Sequence, residues 1–133
     1  LGYDDNFLSV FVANASGEMQ RFLRKVIETK GLQKTCGEIN YASSVYMGDL
    51  LVTCYSLFSR NRAFGNMIGK GYSVDATKLA MQMVAEGYPA SKSIFELNQE
   101  VRAEMPIATA IYEVLWSAKD PAEAFKSIES VLV

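Results

Sequence analysis

The chain has 133 residues, of which 50% are hydrophobic and 21% are charged, and its formal net charge is −2. This length fits one domain around one core, and the composition is ordinary for a soluble globular protein. The charge excludes a basic surface for nucleic acid or acidic membranes, and the absence of histidine excludes Ser-His and Cys-His nucleophile pairs.

The first half of the chain is dominated by helical periodicity. Apolar residues recur at steps of three and four over residues 7–27, which predicts a long helix that Gly31 ends. A second helix is predicted over about residues 38–55, and a short one in the glycine-rich segment 59–71. Ser73 is the predicted N-cap of a helix that runs to about residue 84.

The second half of the chain carries clearer helix boundaries. Residues 87–89 are predicted to break the chain before a helix over about residues 90–103, and Pro106 suits the first turn of the next helix. Asp120, Pro121 and Glu123 form the start signal of a last helix. Because no stretch alternates as a strand does, the sequence predicts a single all-α domain of about six or seven helices.

Several features bear on where the chain works. The apolar runs are too short to span a bilayer, and no basic residue precedes an apolar stretch near Leu1 as in a signal peptide. Cys36 and Cys54 suit a reduced, cytoplasmic protein better than a disulfide scaffold. Since the chain starts with Leu1 and enters an amphipathic pattern at once, we expect a processed or truncated polypeptide.

Asp49 and Thr53 form the first candidate site, since residues four apart share one face of a helix. Asp49 lies among apolar neighbours, where a carboxylate needs a partner. One interpretation is a structural ion pair with Arg60 or Arg62, and the other is a ligand-binding role. The residues alone leave both open.

Ser59, Arg60 and Asn61 are three consecutive polar residues that offer a hydroxyl, a guanidinium and an amide. This set suits a phosphate or a polyol, because arginine matches phosphate geometry with two parallel hydrogen bonds. The alternative is that Ser59 is a helix N-cap and that the arginines are solvated.

Glu86 is the third candidate, because a carboxylate at the end of the predicted helix before Gly87 opposes the helix dipole. Such a local conflict is often resolved by function. The alternative is an exposed surface glutamate. Lys70, beside glycines, is interpreted as a solvated lysine, and Trp116 as a core residue.

These motifs, in this order, resemble the C-terminal domain of bacterial-type NAD(P)-dependent glycerol-3-phosphate dehydrogenases. The family's Gly-Asp-Leu, Thr-Cys, Ser-Arg-Asn-Arg, Phe-Gly and Ile-Gly-Lys-Gly motifs stand within residues 48–71, and its Val-x-Glu-Gly motif at 84–87. Its Met-Pro-Ile and Ile-Tyr-x-Val-Leu motifs fall within 105–115, and Asn6 and the Glu18-Met19 pair also match. The resemblance covers nearly the whole chain.

The resemblance implies that residues 1–133 form a helical substrate-binding domain, similar to the C-terminal domain of 6-phosphogluconate dehydrogenase-like enzymes. It implies interconversion of sn-glycerol 3-phosphate and dihydroxyacetone phosphate by hydride transfer with NAD or NADP, which feeds glycerophospholipid synthesis. The implied substrate-binding residues are Asp49, Thr53, Ser59, Arg60 and Asn61. The implied cofactor-binding residues are Arg60, Val84 and Glu86, although an N-terminal Rossmann domain outside this chain would bind most of the cofactor.

The chain also departs from the family pattern. The family's proton-transferring lysine precedes the helical domain, so the resemblance implies that this chain holds no catalytic residue and is inactive alone. Asn14 stands where the bacterial enzymes usually carry arginine. A homodimer is a further implication, since relatives often associate. No metal, nucleic acid or membrane insertion is expected.

Two alternatives remain beside this interpretation. The domain could belong to a related dehydrogenase that acts on a 3-hydroxyacid or phosphogluconate. It could also be a free-standing helical interaction module, whose binding would be indifferent to Asp49→Asn or Arg60→Ala.

Overall fold

A computed structural model of the chain describes residues 1–36, 43–83 and 85–133. The helices are α1 (Asp5–Lys30), α2 (Gln33–Cys36), α3 (Ser43–Tyr55), α4 (Arg60–Gly69), α5 (Val74–Ala80), α6 (Gly87–Val101), α7 (Pro106–Trp116) and α8 (Pro121–Glu129). No strand occurs in these ranges. The predicted all-α class is therefore confirmed.

The long first helix is fixed by a cap at each end. The side chain of Asp4 accepts a hydrogen bond from the Phe7 N–H at 2.8 Å, so α1 begins two residues before the predicted start. Gly31 adopts a left-handed conformation with φ of 64°, which glycine tolerates without steric cost. The predicted stop at Gly31 is confirmed.

The region between α5 and α6 differs from the prediction. The hydroxyl of Ser73 caps α5 as expected, but the helix ends at Ala80 because Met81 is extended. The next helix begins at Gly87 rather than near residue 90. Pro89 lies in the first turn of α6, where its missing N–H costs nothing. The predicted end of α5 near residue 84 is therefore wrong, and the predicted start of α3 near residue 38 lies outside the described residues.

The core forms where α4, α7 and α8 meet, and α7 also packs against α1 and α6. Its buried residues are Phe64, Ile68, Ala85, Ile107, Ala110, Val114, Ala124 and Ile128. Removing these apolar side chains from water is the main stabilising contribution to such a fold. Two of them, Phe64 on α4 and Ala85 before α6, fix the segments that carry the candidate site.

Among the described residues, no helix is both long enough and apolar enough to cross a bilayer.

Candidate functional site

The turn between α3 and α4 is held by local hydrogen bonds. The Ser59 hydroxyl accepts from the Arg62 N–H at 3.2 Å and caps α4, as the alternative interpretation of Ser59 expected. The guanidinium of Arg62 donates to the Tyr55 carbonyl at 3.0 Å, at the end of α3. A cation is favourable there because the helix dipole leaves partial negative charge on the last carbonyls. Arg62 thus joins the two helices.

A second contact brings the start of α6 against the start of α4. The Asn61 Oδ1 atom accepts a hydrogen bond from the Gly87 N–H at 2.9 Å. The neighbouring Tyr88 ring stacks on Trp116 with 4.4 Å between centroids, and its centroid lies 5.7 Å from that of Phe64. Ring contacts of this kind stabilise a structure beyond their buried area. The residues just before Tyr88 are therefore held beside α4.

An open cleft of about 340 Å³ lies at the start of α4, and we call it the α3–α4 cleft. It is lined by Val52, Thr53, Ser56, Phe58, Ser59, Arg60, Asn61 and Glu86. Five of the residues singled out in the sequence therefore meet in one place. They present hydroxyl, guanidinium, amide and carboxylate groups, a set that can bind a small polar or anionic molecule.

One other candidate residue lies elsewhere. Asp49 is exposed on α3, one turn before Thr53, and does not line the cleft. The ion pairs among the described residues do not include Asp49, so the interpretation that it pairs with Arg60 or Arg62 finds no support. Val84 lies outside the described residues.

The position of Glu86 differs from the one predicted from the sequence. The expected conflict assumed that Glu86 ends a helix, whereas it immediately precedes α6 as the N-cap residue. Negative charge is favourable at a helix N-terminus. The Glu86 side chain makes no capping hydrogen bond and is exposed at the cleft. Its carboxylate is therefore positioned to accept hydrogen bonds from a ligand.

Three residues that line the cleft were not singled out in the sequence: Val52, Ser56 and Phe58. Phe58 is 95% exposed and Val52 is 74% exposed. Apolar residues are ordinarily assigned to a core, so only the position of the Leu57-Phe58 pair between Ser56 and Ser59 could have signalled an exposed role. Exposed apolar groups beside a polar cleft are typical of a surface that contacts a ligand or partner.

Cys54, one residue after Thr53, lies in surroundings that disfavour a nucleophilic thiolate. Its side chain is half-buried, and burial raises the pKa of the thiol, although the charge of Arg62 opposes the rise. A thiol must lose its proton to act as a nucleophile. Cys54 therefore stays protonated near neutral pH.

The fold and the cleft together define a helical domain with an open polar cleft. The family model of the NAD-dependent glycerol-3-phosphate dehydrogenase C-terminus matches residues 1–126. The chain belongs to this family.

Individual relatives carry the name of the same family. The chain is 36% identical over 128 residues to glycerol-3-phosphate dehydrogenases (NAD(P)+) of Geobacillus kaustophilus and Bacillus cytotoxicus, covering 96% of this chain and 35% of each relative. It is 37% identical over 124 residues to the enzyme of the same name from Chlorobium chlorochromatii, covering 93% of this chain. The chain thus spans 35% of the length of these curated relatives. No solved structure was found to match it, and the expected likeness to 6-phosphogluconate dehydrogenase-like enzymes stays a prediction.

Proposed function

We propose that this chain is the substrate-binding domain of an enzyme that interconverts sn-glycerol 3-phosphate and dihydroxyacetone phosphate with NAD or NADP. The observation that carries the proposal is the meeting of Ser59, Arg60, Asn61 and Glu86 in the α3–α4 cleft. These residues come from two segments that the Asn61–Gly87 hydrogen bond joins. Such convergence of polar groups is what a small phosphorylated polyol requires.

Arg60 is the proposed phosphate-binding residue. It is exposed in the first turn of α4 and forms no ion pair with any described residue. A guanidinium binds two phosphate oxygens through parallel N–H groups, and these charge-assisted hydrogen bonds are stronger than neutral ones. The nearby helix N-terminus adds partial positive charge. Arg60 therefore supplies the anion site of the cleft.

The remaining groups suit the polar, uncharged part of the substrate. The Ser59 hydroxyl accepts from Arg62 and still has its own hydrogen to donate. Thr53 offers a second hydroxyl in the cleft, and Asp49 lies one turn before it on α3. As the resemblance implies, we assign Asp49 a substrate contact, in which its exposed carboxylate would accept a substrate hydroxyl.

The cofactor would lie at the Glu86 side of the cleft. Glu86 is an exposed acceptor, which fits the hydroxyl and amide donors of a nicotinamide nucleotide. Arg60 is assigned a second contact, to the cofactor, and Val84 completes the proposed set. The nicotinamide group supplies or accepts the hydride when bound, while the residues of this chain bind and orient the substrate. The proton-transferring lysine is assigned to an upstream segment.

An N-terminal Rossmann domain is the proposed partner of this chain. Leu57 is 82% exposed and directly precedes Phe58, which lines the cleft together with Val52. Each such side chain would contribute roughly 1.5–3 kcal/mol if it were fully removed from water. We assign the covering of this surface to the nucleotide-binding domain, which would close the open side of the cleft. The homodimer and the cytoplasmic location expected from the sequence stay predictions.

The proposal is tested with the full-length protein that contains this chain and its upstream domain. We expect it to reduce dihydroxyacetone phosphate with NADH or NADPH, measured by absorbance of the reduced cofactor, and the 133-residue chain alone to show no turnover. Preference for a 3-hydroxyacid or phosphogluconate would favour a related dehydrogenase. A folded full-length protein without any of these activities would contradict the proposal.

A further inference from the structure

Gly87 is the backbone partner of Asn61. The Asn61 Oδ1 atom accepts the Gly87 N–H at 2.9 Å, although the two residues are 26 positions apart. Asn61 is the second residue of α4, and Gly87 is the first residue of α6, directly after Glu86. The hydrogen bond therefore joins the segment that carries Arg60 to the segment that carries Glu86.

The structure on both sides of this hydrogen bond is anchored. Tyr88 donates its N–H to the Ala85 carbonyl at 3.0 Å, and Ala85 is only 5% exposed. The Tyr88 ring is stacked on Trp116. On the other side, Phe64 is buried three residues after Asn61, so it lies on the same face of α4. The segments that carry Asn61 and Gly87 are thus both anchored to buried residues.

The hydrogen bond decides which end of the Asn61 amide a ligand meets. An asparagine side chain has an oxygen that accepts and an NH₂ group that donates. Because the Gly87 N–H is a donor, it must face the oxygen, since the flipped amide would place two donors against each other. The NH₂ group has no acceptor among the residues of the described ranges. It remains available as a donor in the cleft.

The absence of a side chain at Gly87 leaves room for the Asn61 amide. A Cβ atom at Gly87 would lie 3.0 Å from Asn61 Oδ1 and 3.2 Å from its Cγ. Gly87 is not among the glycines with positive φ, which are Gly2, Gly31 and Gly71 in the described ranges. The backbone therefore does not require glycine here, but a Cβ atom would force the Asn61 amide to move by a few tenths of an ångström.

We infer that Gly87 is a positioning residue for substrate binding: its N–H and its lack of a side chain hold the Asn61 amide with the NH₂ group free for an acceptor oxygen of the substrate. The inference rests on the proposed function, because it assigns the Asn61 NH₂ group to the phosphate or a hydroxyl of that substrate. Gly87 itself touches neither substrate nor cofactor in this role.

The test compares Gly87→Ala with Gly65→Ala in the full-length enzyme. Gly65 lies on α4 and is exposed, and an added Cβ there would meet no heavy atom within 4 Å. We expect Gly87→Ala to raise the KM for dihydroxyacetone phosphate roughly tenfold, the effect of losing about one hydrogen bond, with the melting temperature lowered by at most a few degrees. Gly65→Ala should leave the KM unchanged.

A double-mutant cycle separates positioning from a purely structural effect. If Gly87 acts through Asn61, Gly87→Ala has no further effect on the KM in an Asn61→Ala background. The same fold-change in both backgrounds, or a KM within twofold of the unsubstituted enzyme, would overturn the inference.

Asn61→Asp provides a variant that does not depend on how well Gly87→Ala folds. The carboxylate keeps an acceptor for the Gly87 N–H but replaces the NH₂ donor, so we expect an unchanged melting temperature and a KM raised at least tenfold. An unchanged KM would contradict a donor role of Asn61.

Failure of the proposed function can be told apart from failure of this inference. If the unsubstituted enzyme does not reduce dihydroxyacetone phosphate, the proposed function is wrong, and the side-chain NH₂ resonances of Asn61 are followed by NMR during titration with inorganic phosphate. A shift in the unsubstituted protein and in Gly65→Ala, but not in Gly87→Ala, supports the positioning role. No shift, or an equal shift in all three proteins, overturns it.

Discussion

The carboxylate of Glu18 in α1 accepts a hydrogen bond from the backbone N–H of Ile107 at 2.6 Å, across 89 positions of sequence. It also accepts from the Ala108 N–H at 3.1 Å. Both donors belong to the first turn of α7, where the N-cap residue Met105 provides no side-chain hydrogen bond. Glu18 thus caps α7 from a distant helix, and its negative charge lies at the positive end of the helix dipole.

Replacing Glu18 should therefore destabilise the domain more than replacing an exposed glutamate on the same helix. Glu18→Ala leaves the buried Ile107 N–H without a partner, and we expect the free energy of unfolding to fall by about 3 kcal/mol. Glu18→Gln keeps one acceptor oxygen, so about 1 kcal/mol is expected. Urea denaturation of the 133-residue chain, followed by circular dichroism, measures both. Glu28→Ala, an exposed change on the same helix, is the control, and an equal loss from it would refute the capping role.

The ionisation of Glu18 gives a separate prediction for pH. Burial raises the pKa of this carboxyl above its ordinary value of 4.5, although the N–H groups of Ile107 and Ala108 and the charge of Arg21 oppose the rise. The folded state then binds the proton more tightly than the unfolded state. Its contribution to stability is complete below the ordinary pKa and is lost as pH rises through the raised pKa.

The difference in unfolding free energy between the unsubstituted chain and Glu18→Gln isolates this group, because glutamine does not titrate. As the pH rises from about 4.5, the ordinary pKa, towards neutrality, we expect the unsubstituted chain to lose unfolding free energy relative to Glu18→Gln. Urea titrations at a series of pH values provide the measurement. A difference that is constant over this range, or that moves in the opposite direction, would contradict the raised pKa.

Helix boundaries were predictable where the signal is local. Asp120 accepts from the N–H groups of Ala122 and Glu123 at 2.9 and 3.0 Å, which confirms the start signal of α8. The end of α5 was placed wrongly because apolar residues continue past it at helical spacing. Leu79 and Met83 are in fact 87% and 61% exposed. Periodicity cannot distinguish a buried face from an apolar surface that no described residue covers.

The candidate site likewise combines residues that the sequence places together with a contact that the sequence does not predict. Because Ser59, Arg60 and Asn61 are consecutive in sequence, their closeness in space was predictable from the sequence alone. The approach of Glu86 depends on the Asn61–Gly87 hydrogen bond, and the link between Glu18 and α7 is equally remote. Contacts between distant positions are set by packing of the whole core, which local propensity does not encode. The resemblance to a family placed Glu86 at the site without giving this physical reason.

Asn14, which departs from the family pattern, makes two hydrogen bonds to the backbone of Val133. Its Nδ2 atom donates to the Val133 carbonyl at 3.0 Å, and its Oδ1 atom accepts the Val133 N–H at 3.1 Å. We expect Asn14→Ala to speed hydrogen exchange at the Val133 amide and to lower the free energy of unfolding by about 1 kcal/mol. The amide of Val131, bound to the Ile128 carbonyl, is the internal reference. Unchanged exchange at Val133 would show that the contact is not formed in solution.

Arg60 and Arg62 provide a matched pair of tests, because they lie two residues apart on α4 and differ only in their contacts. Arg62 donates to the Tyr55 carbonyl, so Arg62→Ala should lower the free energy of unfolding by about 1 kcal/mol. Arg60 forms no hydrogen bond or ion pair with a described residue. Arg60→Ala should leave stability unchanged and raise the KM for dihydroxyacetone phosphate about a hundredfold, because two charge-assisted hydrogen bonds to phosphate are lost.

The conservative change Arg60→Lys completes the argument. Lysine keeps the positive charge but cannot form two parallel hydrogen bonds to one phosphate, so the KM should lie between those of the unsubstituted enzyme and Arg60→Ala. Steady-state kinetics and thermal melting of the full-length enzyme measure both properties for all three variants. If Arg62→Ala instead raised the KM as much as Arg60→Ala without lowering the melting temperature, the assignment of the phosphate to Arg60 would be wrong. The structural and binding roles of the two arginines would then have to be exchanged.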